Sequence, residues 1–268
     1  MTDLVRDVRI RGRRIRVAVR PGDGRPLVLC NGIGASLDLL QPFVDRLDPS
    51  IPVIRFDVPG VGGSELPRLP YTFASLACTV GRILDDLGHD EVDVLGISWG
   101  GGLAQQFALQ NPRRCRRVVL VSTATGSLMV PAHPRVLSKM ATPRRYRDPA
   151  YAASIAANLY GGRFRDEPAL AKEFLQGHSR PASGRGYALQ LLAGVGWTSL
   201  PFLPMIRQPT LILAGDDDPL IPIANPKLMN RLLPHSSLHI YPEGHLGLVT
   251  HAHDLAPRVA GFLRQKDG

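Results

Sequence analysis

Hydrophobic and polar positions alternate along the chain in two different ways. Residues 5–19 alternate apolar with basic side chains around Gly12-Arg13. This pattern predicts two antiparallel strands at a sheet edge, with the arginines facing outward. Six short, continuous apolar runs then predict strands buried on both faces: 26–30, 53–56, 92–97, 118–121, 211–214 and 238–241. Five segments between them have helical spacing: 36–47, 73–87, 99–110, 226–233 and 255–263.

This order of elements predicts a single α/β domain. Strands that alternate with helices predict a mostly parallel sheet with helices on both faces and a ligand site at the carboxyl ends of the strands. Residues 131–209 interrupt the alternation. They contain many prolines, show helical spacing and include no strand-like apolar run. We therefore expect a core formed by residues 1–130 and 210–268, with residues 131–209 inserted as a helical lid.

Composition narrows the class of protein. The chain has 268 residues, of which 44% are hydrophobic, so a large core needs no disulfide or metal support. Its 3 cysteines form no CxxC pair, which favours a reducing, cytoplasmic location. The amino terminus lacks the apolar run of a signal peptide, and no stretch of about 18 apolar residues predicts a transmembrane segment.

The formal net charge of +9 comes largely from arginine clusters at residues 6–20, 113–117 and 144–147. Such clusters could bind an anionic surface, or they could form a solvated basic face. No nucleic-acid-binding motif accompanies the charge, so we expect no nucleic-acid partner. The sequence gives no indication of the oligomeric state.

A candidate nucleophile lies between a predicted strand and a predicted helix. The run Gly96-Ile97-Ser98-Trp99-Gly100 has the G-x-S-x-G pattern, in which a serine occupies a sharp, strained turn between small neighbours. A lone serine at the start of a helix is otherwise often an N-cap. The flanking strand and glycines favour Ser98 as the nucleophile.

A serine nucleophile needs a histidine base and a carboxylate that orients it. Three aspartates follow the strand at 211–214, and Asp218, just before a proline, is our choice, with Asp216 and Asp217 as turn or capping groups. His245 follows the last predicted strand, whereas His251 and His253 lie farther on and are expected at the surface. The order serine, aspartate, histidine is that of α/β-hydrolases.

Acyl transfer also requires amide donors for the oxyanion. One is expected at Trp99, directly after the serine, and the other at Ile33, in the loop after the strand at 26–30. The glycine-rich turn at 57–64 lacks the G-x-G-x-x-G spacing and is interpreted as scaffold. With no metal-ligand cluster or cofactor motif in the sequence, we expect neither a metal nor a cofactor.

Several runs resemble those of one known family, the intracellular medium-chain-length poly(3-hydroxyalkanoate) depolymerases of the α/β-hydrolase superfamily. Asn31-Gly32 stands where generic hydrolases more often have His-Gly. The matching runs are Asn31-Gly32-Ile33-Gly34-Ala35, 56–64, Ser98-Trp99-Gly100-Gly101, Ala104-Gln105-Gln106-Phe107, 214–222, Tyr160-Gly161-Gly162 and Gly196-Trp197-Thr198-Ser199. The resemblance implies hydrolysis of ester bonds in a storage polyester of 3-hydroxy acids, with Ser98, Asp218 and His245 as the triad. An ester substrate and the surface of a polyester granule are then the expected partners.

Two other interpretations remain open. The same machinery would serve a small-molecule carboxylesterase, a thioesterase or a hydrolase of carbon–carbon bonds. A non-catalytic granule-binding protein could share the fold, because a fold alone does not establish activity. Four apolar residues near Trp197 could contact a polymer or pack beneath the lid: Leu200, Phe202, Leu203 and Met205.

Overall fold

An eight-stranded sheet forms the centre of the molecule. The computed structural model describes residues 3–141, 148–167, 169–170 and 183–265. The strands are β1 (Leu4–Ile10), β2 (Arg13–Arg20), β3 (Leu27–Cys30), β4 (Val53–Phe56), β5 (Val92–Ile97), β6 (Cys115–Val121), β7 (Thr210–Gly215) and β8 (Ser236–Tyr241). Their spatial order is β1-β2-β4-β3-β5-β6-β7-β8. Strand β2 is antiparallel to β1 and β4, and β3 to β8 are parallel to one another.

Helices connect the parallel strands. They are α1 (Gln41–Arg46), α2 (Phe73–Leu87), α3 (Trp99–Gln110), α4 (Pro134–Ala141), α5 (Pro149–Tyr160), α6 (Arg163–Asp166), α7 (Gly184–Gly194), α8 (Ala224–Leu232), α9 (Gly247–Thr250) and α10 (Ala252–Leu263). Two 3₁₀ helices span Leu37–Leu40 and Leu200–Met205. Among the helices described, none has both the length and the apolar character needed to cross a bilayer.

The sheet is covered on both faces, as the continuous apolar runs predict. Side chains of α2, α3 and α8 form one core with the sheet, and Phe107 of α3 is fully buried there. Side chains of α1, α9 and α10 form the other core, which includes the buried Phe43 of α1. The structure thus confirms the predicted α/β architecture with a mostly parallel sheet.

Most element boundaries agree with the sequence pattern, and the differences have local causes. Helices α2 and α3 have the predicted bounds, and a capping box of Thr72 and Ser75 begins α2. The segment at 36–47 divides into a 3₁₀ helix and α1, with Pro42 in the first turn of α1. Proline has no backbone N–H to donate, so it favours a helix start. Helix α8 begins at Ala224, so Pro226 also lies in a first turn, where a missing N–H breaks no helical hydrogen bond.

The prediction that the arginines of residues 5–19 face outward is wrong for Arg16, and Arg20, directly after that segment, is buried as well. Arg16 pairs with Asp38 and Asp57. Arg20 is only 7% exposed. Its guanidinium donates to four backbone carbonyls near the end of α1, those of Val44, Leu47, Asp48 and Ile51. Strand β2 lies between β1 and β4 and is therefore an interior strand. Its buried guanidinium groups lose contact with water, and carbonyl and carboxylate oxygens take the place of that water.

Between β6 and β7, the described residues form helices joined by turns and loops, and none of them forms a strand. These helices are α4 to α7 and the second 3₁₀ helix. Among the described residues of this segment, Gly126 and Thr198 form an isolated antiparallel β-bridge. We call residues 131–209 the insertion. Its helical character agrees with the sequence pattern, and its assignment as a lid with those boundaries stays a prediction. The predicted arginine cluster at 144–147 lies outside the described residues.

Candidate active site

Ser98 lies at the carboxyl end of β5 in an unusual backbone conformation. Its φ of 54° and ψ of −122° are strained for a residue with a side chain, at about 1–3 kcal/mol. The backbone N–H of Ser98 donates to the carbonyl of Val121 over 2.9 Å, which fixes the turn to the sheet. A Cβ at Gly100 would overlap the carbonyl oxygen of Cys30, so the turn requires glycine there. Ser98 stands directly before α3, but its side chain makes no capping hydrogen bond to the helix. This contradicts the alternative that its hydroxyl serves as an N-cap.

Thr123 supports this turn from the neighbouring strand. Its hydroxyl donates to the carbonyl of Ser98 over 2.7 Å, and its side chain fills the space beside Gly101. Because Ser98 follows β5 and Thr123 follows β6, this hydrogen bond joins the carboxyl ends of the two neighbouring strands. The sequence carries no motif that marks Thr123 as a support of the serine turn.

Asp218 and His245 form a buried pair. The Nδ1 atom of His245 lies 2.8 Å from Oδ2 of Asp218, with the side chains 4% and 2% exposed. The other carboxylate oxygen, Oδ1, accepts the backbone N–H groups of Leu220 and Ile221 over 2.8 and 3.0 Å. A carboxylate in its ionised form only accepts, so this contact favours the imidazole tautomer with the hydrogen on Nδ1 and the lone pair on Nε2. The predicted acid and base are thus brought together.

The competing aspartates have other partners. Asp216 is exposed, and its backbone N–H donates to the carbonyl of Tyr241 over 3.1 Å. Asp217 accepts the N–H of Gly162, the residue before α6, over 2.7 Å and pairs with Arg165 at 3.0 Å. These contacts agree with the predicted turn and capping roles of Asp216 and Asp217.

The competing histidines lie together at the start of α10. The Nε2 atoms of His251 and His253 lie 2.6 and 3.2 Å from the carboxylate of Asp254. Within the described part of the chain, this is the group that could offer three atoms to a metal ion, since those atoms lie within 4.8 Å of one another. His253 and Asp254 are more than half exposed, and the contacts are those of surface ion pairs.

The insertion holds the loops that carry Asp218 and His245. The N–H of His245 donates to the carbonyl of Tyr160, the last residue of α5, over 2.7 Å. At the start of α6, the N–H of Arg163 donates to the buried carboxylate of Glu243 over 3.2 Å. A Cβ at Gly162 would overlap Glu243 and Gly244, and its φ of 54° is left-handed. The run Tyr160-Gly161-Gly162 was the sequence signal for this contact, although its role was not predicted.

The loop after β3 approaches the serine and is held by side-chain amides. Asn31 donates through Nδ2 to the carbonyl of Ser36 over 2.9 Å. The N–H of Gly34 donates to Oε1 of Gln190, in α7 of the insertion, over 2.7 Å. A Cβ at Gly32 would lie 3.6 Å from the Cβ of Ser98. The loop of residues 31–35, which we call the oxyanion loop, therefore borders Ser98, with the predicted donor Ile33 half-buried within it.

Trp99 begins α3, where the first backbone N–H groups have no partner inside the helix. Its indole Nε1 donates to the carbonyl of Gln190 over 3.0 Å. The second predicted donor is therefore fixed at a helix start directly after Ser98. The contacts of Gln190 with Gly34 and with the Trp99 indole had no sequence signal.

Two further groups near the site are inert supports. Burial raises the pKa of the Cys30 thiol to about 12, so Cys30 remains protonated beside the oxyanion loop at neutral pH. Asp57, which is fully buried, accepts the N–H groups of Leu37 and Gly63 over 2.7 and 2.8 Å. Burial raises the pKa of Asp57, while these donors and Arg16 act in the opposite direction. These contacts are consistent with the interpretation of the turn at 57–64 as scaffold.

The apolar residues near Trp197 are divided between the core and the surface. Leu203 is fully buried, and Trp197 packs on Phe73 with ring centroids 4.6 Å apart. Met205 is 63% exposed, but it borders Pro209, just before β7, at the edge opposite Ser98. The burial of Leu203 contradicts its contact with a polymer. Met205 is exposed, but it lies at the opposite edge of the sheet from Ser98, away from the proposed site of polymer cleavage.

Comparisons with known proteins agree with this geometry. The family model of the alpha/beta hydrolase fold matches residues 25–252. The crystal structure of an enol-lactonase from Burkholderia xenovorans LB400 covers 97% of this chain and 100% of its own, with a TM-score of 0.83 and 22% identity. That likeness shows the fold. The chain belongs to the α/β-hydrolase family.

Two curated relatives refine the placement. The poly(3-hydroxyalkanoate) depolymerase of Ectopseudomonas oleovorans is 51% identical over 98% of this chain and 93% of that protein. 3-Oxoadipate enol-lactonase 2 of Acinetobacter baylyi is 27% identical over 85% of this chain and 84% of that protein. The first identity groups the chain with the poly(3-hydroxyalkanoate) depolymerases, among the ester-bond hydrolases of the family.

Proposed function

We propose that Ser98, His245 and Asp218 act together as the catalytic triad of this hydrolase. The observation that carries the proposal is the buried hydrogen bond between His245 and Asp218, which follow β8 and β7, at the sheet edge where β5 ends in the strained Ser98. Carboxyl ends of parallel strands share one edge, so the three residues lie on the same side of the sheet. The carboxylate holds the imidazole in the tautomer whose Nε2 can accept a proton.

Acylation begins when Nε2 of His245 takes the hydroxyl proton of Ser98 and Oγ attacks the ester carbonyl carbon. The carbonyl electron pair moves to oxygen, where the amides of Ile33 and Trp99 stabilise the negative charge. Collapse of this intermediate expels the alcohol oxygen, which takes the proton from His245. Asp218 stabilises the imidazolium while it exists.

Deacylation repeats these steps with water. His245 takes a proton from water, and the hydroxide attacks the acyl carbon. The oxyanion forms against the same two amides, and its collapse breaks the bond to Oγ of Ser98. Ser98 regains the proton from His245, and the free carboxylic acid leaves.

The substrate we propose is a polyester of 3-hydroxy acids. Support comes from the identity of 51% with a poly(3-hydroxyalkanoate) depolymerase. A second support is a group of apolar side chains in and beside α7, which carries the oxyanion-loop contact. These side chains are 41–74% exposed: Leu128, Leu191, Leu192 and Val195. Together they offer an apolar surface to a polymer or to a granule of it inside the cell.

The test compares the parent with Ser98→Ala for release of 3-hydroxyoctanoate from amorphous medium-chain-length polymer. We expect loss of at least about 10³-fold in rate. Ser154→Ala, at an exposed serine of the insertion, is the matched control and should retain parent activity. Equal activity of Ser98→Ala and the parent would overturn the mechanism.

Substrate class is tested separately by comparing turnover of dispersed polymer with that of short p-nitrophenyl esters. Turnover of both supports the polyester proposal. Turnover of the short esters alone would instead indicate a small-molecule esterase.

A further inference from the structure

One residue of the insertion contacts both parts of the proposed oxyanion site. Gln190 is fully buried in α7. Its side-chain Oε1 accepts the N–H of Gly34, and its backbone carbonyl accepts the indole N–H of Trp99. Gly34 follows Ile33 directly, and Trp99 follows Ser98 directly. A single residue, more than 90 positions farther along the chain, therefore connects the oxyanion loop with the start of α3.

The orientation of this amide is determined by its partner. The Gly34 N–H can only donate, so Oε1 and not Nε2 must face it. Nε2 is then buried with no hydrogen-bond partner among the residues that the structure describes. An unpaired buried donor costs about 1–3 kcal/mol. Stability alone thus gives no reason for a glutamine here, since its one side-chain bond comes with one unpaired donor.

A chemical reason exists if the bond to Gly34 orients the loop. The Gly34 N–H belongs to the planar peptide unit between Ile33 and Gly34, so its bond to Gln190 fixes the plane of that unit. The Ile33 N–H lies on the adjacent peptide unit, which is separated from this fixed plane only by the two backbone dihedral angles of Ile33. Oxyanion stabilisation depends on donors that point at the oxygen before charge develops. A neutral acceptor is also needed, because a carboxylate at this position would place negative charge beside the oxyanion.

We propose that Gln190 is a positioning residue for ester hydrolysis, which holds the oxyanion loop in its working orientation through Gly34 while it packs the Trp99 indole. The inference rests on the proposed function of Ser98 and the two amides. It also gives the insertion a part in the chemistry, because α7 supplies the acceptor that the core loop lacks.

The test uses two substitutions of the full chain. Gln190→Met keeps the length and burial of the side chain but removes the acceptor. Gln190→Glu keeps the acceptor and adds a charge. The matched control is Gln208→Met, because Gln208 is also buried, also has one unpaired amide atom, and donates to the carbonyl of Ala108 before β7, away from the site.

We expect kcat for a short ester to fall about 10- to 100-fold in Gln190→Met, with KM within about twofold of the parent. Inhibition by an alkyl boronic acid, which forms a tetrahedral adduct on the serine, should weaken by the same factor as kcat. The loss in Gln190→Glu should be larger than in Gln190→Met. Gln208→Met should change the melting temperature by a similar amount and leave kcat and boronate affinity unchanged.

Parent-like kcat in Gln190→Met would overturn the inference, as would a loss of kcat without a loss of boronate affinity. If Gln190→Met does not fold, Gln190→Leu, which also removes the acceptor for the Gly34 N–H, decides by the same two measurements. Failure of the proposed function is distinguishable, since it would show as activity in Ser98→Ala. Inactive Ser98→Ala with fully active Gln190 variants would refute the role of Gln190 only.

Discussion

The backbone N–H of His245 donates to the carbonyl of Tyr160 over 2.7 Å, which joins the loop of the proposed base to the end of α5 in the insertion. Asp217, the neighbour of Asp218, accepts the N–H of Gly162 just before α6, and Glu243, two residues before His245, accepts the N–H of Arg163 at its first position. The insertion therefore continues directly into the supports of the acid and the base. The insertion is attached to the core through the loops that carry Asp218 and His245.

Substitution of Gly162 by Ala should disturb both loops. The added Cβ would meet the carboxylate of Glu243 and the backbone of Gly244, and alanine is strained at a φ of 54°. We expect a lower melting temperature and a fall of kcat by about tenfold or more, because about 1 Å of misplacement is enough for such losses. Gly194→Ala is the control, since a Cβ there meets no atom within 4 Å. Full activity of Gly162→Ala would contradict this coupling.

Asp218→Asn tests the orientation of the imidazole. An amide can donate to Nδ1 and so favour the wrong tautomer of His245. We expect kcat to fall about 10³- to 10⁴-fold with little change in the melting temperature. Asp216→Asn, at the exposed neighbour, should retain parent kcat. Comparable rates for the two variants would argue that Asp218 does not serve the base.

The apolar surface beside α7 should affect polymer and small esters differently. In the double variant Leu192→Ser with Val195→Ser, both changes lie at exposed positions. We expect turnover of dispersed polymer to fall severalfold and turnover of short p-nitrophenyl esters to stay at the parent level. Met205→Ser removes an equally exposed apolar side chain at the opposite edge and should change neither rate. A uniform loss on both substrates would refute a polymer-contact role.

Arg20→Met should destabilise the fold, because Arg20 is buried although it belongs to a basic segment of the sequence. Four carbonyls near the end of α1 would lose their donor in a buried place. We expect the free energy of unfolding to fall by about 2–4 kcal/mol in urea titrations. Arg9→Met makes the same change of charge at an exposed position and should alter stability by less than about 0.5 kcal/mol. Equal stability of the two variants would disprove the structural role of Arg20.

Thiol reactivity should separate the three cysteines. Thiolates react, and burial raises the pKa of both Cys30 and Cys115, so both remain protonated and covered at pH 8. Cys78 is exposed. We expect one rapidly reacting thiol per native chain with Ellman's reagent and three after unfolding in guanidinium. Loss of the rapid thiol in Cys78→Ser is the check, and a second rapid thiol in the native chain would contradict the burial of Cys30 and Cys115.

Local patterns in the sequence were sufficient to predict the sheet, most of its helices and the proximity of Asp218 to His245. Continuous apolar runs mark strands covered on both faces, and G-x-S-x-G predicts the strained turn at Ser98. Contacts between distant segments leave no such pattern. Gln190 lies 156 positions from Gly34, and Arg20 lies 24 or more from its carbonyl partners, so neither role could be read from spacing. These roles depend on which surfaces the folded insertion and α1 cover.

Strand β1 ends the sheet, and within the described residues no further strand lies beyond it. An open strand edge offers unpaired N–H and carbonyl groups to any other extended segment, and can seed aggregation between molecules. Arg6, Asp7 and Arg9 are exposed along this strand. Their charges disfavour the addition of another strand at this edge of the sheet.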